Sequence, residues 1–142
     1  DWAVFGGHVP TMELLAQHPH VDVHSTNRWG CAAVQWAAAA GNVATCRWLM
    51  RQGVDLGVIN DAQHGAVGKA AWQGHIACLE FLVLATDGPR LGAQLHLKDK
   101  EDRSVAELAR MNGQEAAARW LEEHTMVWRM EREREDTSCS EP

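Results

Sequence analysis

Two glycines and a lysine stand in Gly65-Ala66-Val67-Gly68-Lys69, a run whose residue types could cradle a phosphate through backbone amides and a cationic side chain. That chemistry needs G-x-x-x-x-G-K followed by Ser or Thr, because the hydroxyl holds the magnesium ion of the bound nucleotide. Here Gln63 occupies the first glycine position and Ala70 follows the lysine, so the run is read as turn and helix rather than as a nucleotide site. His18, His20, Asp22 and His24 alternate along a short stretch, and alternation in an extended segment could turn imidazoles and a carboxylate to one side, a donor set that suits zinc. Pro19 and the lack of a cysteine or further ligand at a zinc spacing favour a solvated loop, and neither a metal nor a cofactor is expected. The chain has no G-x-S-x-G elbow, no H-E-x-x-H and no C-x-x-C. We therefore expect no catalytic residue and no enzyme activity.

The remaining candidate chemistry is thiol chemistry. Cys31, Cys46, Cys78 and Cys139 are scattered, without an Asn-x-Ser/Thr sequon nearby, in a chain large enough to fold without covalent staples. This pattern predicts a reducing compartment, hence an intracellular protein, cytoplasmic or nuclear. The thiols are expected to be small core or surface side chains, with Cys31 the most exposed because it falls in a loop. A net charge of -6 and a pI near 5.7 provide no basic face for phosphate backbones, so no nucleic acid is expected. Apolar runs such as 79–85, interrupted by Glu80, fall far short of the roughly 20 residues that span a bilayer. No membrane is expected either.

The elements that position these residues emerge from self-similarity. Across the 142 residues, 46% hydrophobic and 23% charged, Gly74-His75 lies 33 residues beyond Gly41-Asn42, and at that shift Val34 falls on Val67, Ala37-Ala38 on Ala70-Ala71 and Leu49 on Leu82. A shift of 39 carries Gly74 to Gly113, with Arg119-Trp120-Leu121 over Arg47-Trp48-Leu49 and a six-residue insertion near 86–91, where Gly88-Pro89 breaks the helix. Backwards, Gly7-His8 aligns with Gly41-Asn42. The chain begins inside a repeat and lacks an initiating methionine, which reads as a fragment of a longer array. Each unit predicts a short helix, a glycine turn, a second helix and a loop. In the first complete unit these are 32–40, a stop at Gly41, and 43–51 with Val43, Cys46, Leu49 and Met50 at helical spacing. The alanines are spacing: they let equivalent helices of neighbouring units approach, and neighbours supply the apolar surface that a single unit lacks.

The segments "NRWGCAAVQWAAAAGN…CRWLMRQGVD", "NDAQHGAVGKAAWQGH…LEFLVL" and "DKEDRSVAELARMNGQ…ARWLEE", preceded by the partial "WAVFGGH…ELLAQHPHVDV", resemble the ankyrin-repeat family over residues 2 to 124. The family's unit reads roughly D-x-x-G-x-T-P-L-H-x-A-A-x-x-G-H, then an apolar helix and G-A-D. The resemblance implies an all-α, ankyrin-like repeat solenoid of stacked helix-turn-helix units with loop and β-turn arms. Its units would be a partial repeat at 1–26, repeats at 27–59 and 60–98, a C-terminal capping repeat at 99–124, and a charged helical extension with a disordered tail at 125–142, frayed from Thr137 onward. Ala32-Ala33-Val34-Gln35 and Gly65-Ala66-Val67-Gly68 depart from the Thr-Pro-Leu-His pattern, which predicts weakened local stability; Gln63 replaces the hairpin glycine, and Ser104 with Glu107 predicts a capping box.

In this family the loop tips and the exposed side of the inner helices form a concave face that binds other proteins. Carried over by position, that face comprises Arg28, Trp29, Cys31, Ala39 and Ala40 in one unit. Asp61, Ala62, His64, Trp72 and Gln73 follow in the second, and Lys100, Glu101, Arg103, Met111 and Asn112 in the third. Trp29 and Trp72 stand out, because Trp and Arg dominate interface hot spots and neither occupies a core position of the pattern. The resemblance thus implies a monomeric, non-catalytic module that binds a protein partner. The competing reading is a structural spacer, or a regulatory segment of a larger protein whose catalytic domain lies elsewhere.

Overall fold

The computed structural model describes residues 2–139. Among them, eight α-helices follow one another as antiparallel pairs: α1 (Trp2–Phe5) with α2 (Val9–Ala16), α3 (Ala33–Ala39) with α4 (Val43–Arg51), α5 (Ala66–Trp72) with α6 (Ile76–Val83), and α7 (Val105–Met111) with α8 (Glu115–Ser138). The described residues form no strand, only isolated antiparallel bridges Thr26–Ala32 and Lys98–Ser104 at the bases of two loop arms. The fold is an all-α stack in which α3, α5 and α7 form an inner layer and α4, α6 and the first half of α8 an outer one.

Side-chain size sets this layering. Ala37, Ala38, Ala70, Ala71 and Ala109 are fully buried, and with no atom beyond Cβ they allow the inner helices to pack closely. The larger Trp48, Leu49, Leu79, Phe81, Leu82 and Leu121 fill the outer layer and are buried in turn. Each inner helix ends in the same way. Gly41 has φ +71° and closes α3 with Gly41 N–H to Ala38 O and Asn42 N–H to Ala37 O, a Schellman turn that an L side chain would strain. A Cβ there would also lie 2.7 Å from the His75 ring, whose Nε2–H donates to the Ala39 carbonyl at 3.0 Å. Asn42 covers Gly7 and Gln114 covers Gly74 in the same way. The residue after each turn glycine therefore seals the glycine of the unit before it.

The two departures at the start of α3 and α5 are filled by glutamines. Gln35 is buried; its Oε1 accepts from the Ala32 amide at 2.7 Å, and its Nε2 donates to the carbonyls of His64 at 2.9 Å and Val58 at 3.3 Å. At α5 the filler comes from outside the unit's pattern. The long connection after α6 contains a 3₁₀ helix, Gly92–His96, whose buried Gln94 accepts from the Val67 amide at 3.1 Å. A Cβ on Gly65 would collide with that same Oε1, so the glycine makes room for the glutamine. At both helix starts, where the departures predict weakened stability, a glutamine side chain thus holds a backbone amide. In the third full unit Ser104 and Glu107 form the reciprocal capping box, at 3.1 and 2.6 Å.

The C-terminus corrects one expectation. Thr137 and Ser138 lie inside α8 rather than in a frayed tail, with Thr137 Oγ1 donating to the Glu133 carbonyl and Ser138 Oγ to the Glu135 carbonyl. The rest of the expected tail, 140–142, lies outside the described residues. The second half of α8 is held by Trp128, which contacts Gly92 and lies 4.4 Å from the His96 ring.

Candidate functional site

Three loop arms along one side of the stack repeat a single geometry. Asn27 Oδ1 accepts from the amides of Trp29 and Cys31, Asn60 Oδ1 from those of Ala62 and His64, and Asp99 Oδ1 from those of Glu101 and Arg103, at 2.9–3.1 Å. The amides of Asn27, Asn60 and Asp99 in turn donate to the carbonyls of Cys31, His64 and Arg103, closing each tip. The tip requires a positive φ three residues on, supplied by Gly30, Gln63 and Asp102 at 75°, 65° and 61°. Glutamine and aspartate at that position carry some strain, which the side-chain clamp of the loop overcomes.

Adjacent arms are tied together. The Asp61 amide donates to the Trp29 carbonyl at 3.0 Å, and Asn60 Nδ2 reaches the Cys31 sulfur at 3.2 Å. Further along, the His64 ring faces Asp99 at 4.0 Å, while Arg103 grips Asp99 at 2.6–2.7 Å and Glu101 at 2.8 Å. The Arg103 guanidinium, helped by the amides of Arg103 and Glu101 against the opposing cost of burial, pulls the Asp99 carboxyl down to about 2. Burial, followed by the positive charges of Lys69 and Arg103, pushes the His64 imidazole below its ordinary value despite Asp99.

None of the fifteen residues carried over by position is buried. Trp29 is 55% exposed, with the Arg28 guanidinium 4.0 Å above its ring; Trp72 is 38% exposed and Met111 60%. Ala39 and Ala40 are half-buried at the end of α3, and Asn112 donates to the Trp72 carbonyl at 2.7 Å. Asp61, Ala62, Gln73, Lys100 and Glu101 are exposed. His64, Trp72, Arg103 and Met111 come together around one groove of about 290 Å³ between α5 and α7, joined there by Gly68, Lys69 and Leu108. Positional matching missed the last three. The signal was present: Lys69 stands one helical turn before Trp72, and Leu108 one turn before Met111.

The other candidate chemistries are dispersed. Gly65 to Lys69 is not a loop, since α5 starts at Ala66 and Gln94 occupies its first turn. His18, His20, Asp22 and His24 are all exposed, and among the described residues no three His, Cys, Asp or Glu side chains converge as metal ligands. Cys31 is half-buried against Asn60, contrary to its expected exposure, because the tie between arms covers it; Cys139 is the exposed thiol. Cys46 and Cys78 are buried side by side, and the Cys78 thiol, then burial, push the Cys46 thiol up, so it stays a protonated core side chain. No described helix is long and apolar enough to cross a membrane.

A family description, ankyrin repeats in three copies, matches residues 1–99. The chain is also 28% identical over 80 residues to the ankyrin repeat protein nuc-2 of Neurospora crassa, an alignment covering 56% of this chain and 8% of that protein. This chain therefore corresponds to a small part of that relative's length. The helix pairs, their shared glycine turns and the match over more than half of the sequence give one conclusion: the chain belongs to the ankyrin-repeat family, whose members generally act in protein interaction.

Proposed function

We propose that this chain is a monomeric, non-catalytic module that binds a protein partner through the concave face made by its loop arms and the exposed ends of α3, α5 and α7. The observation that carries this reading is the exposure of Trp29 and Trp72 on the same side as the arms, beside Arg28 and Arg103, in a family whose repeats serve protein interaction. Large aromatic side chains left in water on a rigid scaffold are the residues that yield most energy when a partner covers them. The backbone groups of both tryptophans serve the fold, and their side chains stay exposed to a further surface.

The test is affinity capture from lysate of the native cell, with the chain as bait beside a Trp29→Ala/Trp72→Ala variant. We expect a protein held by the parent and lost by the variant, while helical circular dichroism and melting temperature stay nearly unchanged. Identical captures by both would favour the spacer reading. A large loss of stability in the variant would assign the tryptophans to the fold.

A further inference from the structure

The groove between α5 and α7 has a chemistry of its own, and a ligand assigned to it rests on the concave-face reading. At about 290 Å³ it lies at the small end of the roughly 300–1,000 Å³ typical of ligand pockets, enough for one or two side chains rather than a cofactor. One wall is Trp72 and another Met111, both substantially exposed, a rigid aromatic beside an adaptable thioether. Two cations line it: Arg103 is engaged by Asp99 and Glu101, whereas Lys69 makes no hydrogen bond or ion pair among the described residues. His64 Nε2 is buried at the groove without a hydrogen-bond partner. The lining also includes Gly68, in the middle of α5, where an added Cβ would meet nothing within 4 Å. Packing does not demand a glycine there, and its missing side chain keeps the groove open to a close-approaching chain.

We infer that this groove takes an extended peptide segment of a partner protein in which an aspartate or glutamate stands next to a large apolar side chain. The carboxylate pairs with the free Lys69 ammonium, and the apolar side chain enters between Trp72 and Met111 above Gly68. Charge complementarity selects the peptide: the chain as a whole carries -6, yet the uncommitted charge in this groove is positive.

The experiment pans a phage-displayed library of short random peptides on the full chain and synthesises the most enriched peptide with a fluorescein label. Enriched sequences should carry Asp or Glu within one or two positions of Leu, Ile, Phe or Trp. Fluorescence anisotropy should show affinity falling about tenfold or more in Lys69→Glu, and recovering when the peptide's acid is replaced by lysine. Gly68→Leu should abolish binding by filling the groove; should it fail to fold, Trp72→Ala serves, and circular dichroism checks each variant. Enrichment of peptides without an acid, binding indifferent to these substitutions in folded protein, or no enrichment would each overturn the assignment. The capture comparison with the Trp29/Trp72 variant judges the broader reading separately, since a folded partner can cover the concave face without using this groove.

Discussion

At the scale of single residues, Asn27, Asn60 and Asp99 hold the arms by one device, a side-chain oxygen accepting two backbone amides, and this equivalence makes predictions. Asn60 is 6% exposed, and Asn60→Ala strands the part-buried amides of Ala62 and His64 and should cost about 1 kcal/mol in urea unfolding. Asn60→Asp should cost much less, because Asp99 does the same work in the next arm. Gly68→Ala should raise stability by about 0.5–1 kcal/mol, since helix propensity improves and the added methyl meets nothing, a gain readable as a higher melting temperature. Acid should weaken the fold in two windows. The His64 pKa is lowered in the folded state, so its contribution is present above the unfolded value near 6.5 and is lost as pH falls below it. The Asp99 pKa is lowered as well, so its contribution is present above about 4 and is lost on the way down to about 2. Urea midpoints measured against pH should keep the upper window and flatten in the lower one for Asp99→Asn, which retains the amide-accepting oxygen and loses the Arg103 ion pair.

At the scale of elements, the inner and outer helices are legible because alanine pairs, a turn glycine and helical spacing recur at a fixed period. The helix starts are less so. Gln35 stands within its own unit, three residues from the amide that it accepts from, although the pattern marks it only as a departure; Gln94 comes from the connection after α6, 27 residues beyond the amide it meets, a distance no local pattern encodes. The charged helical extension expected beyond 124 continues α8, and only its reach past Thr137 escapes the pattern. The charged second half of α8 lacks an apolar repeat, yet Trp128 anchors it by lying over Gly92, where an added Cβ would collide with the indole nitrogen. Gly92→Ala should therefore push this part of α8 off the 3₁₀ helix. Hydrogen exchange should quicken over 124–138 while α5 and α6 keep their protection.

At the scale of the whole molecule, the period in the sequence determined the stack, and the stack determined which side the arms share. Positional transfer to a repeat pattern therefore names residues that are not buried, Trp29 and Trp72 among them. It could not show which of them would meet around one groove, because that depends on how α5 and α7 sit against each other and on the side chain absent from Gly68. The most direct measurement is hydrogen exchange of the chain alone and in complex with a captured partner. Binding through the concave face predicts slower exchange in 28–31, 61–64 and 100–103 and at the C-terminal ends of α3, α5 and α7. Slowing confined to the outer helices α2, α4 and α6, or to the second half of α8, would contradict it.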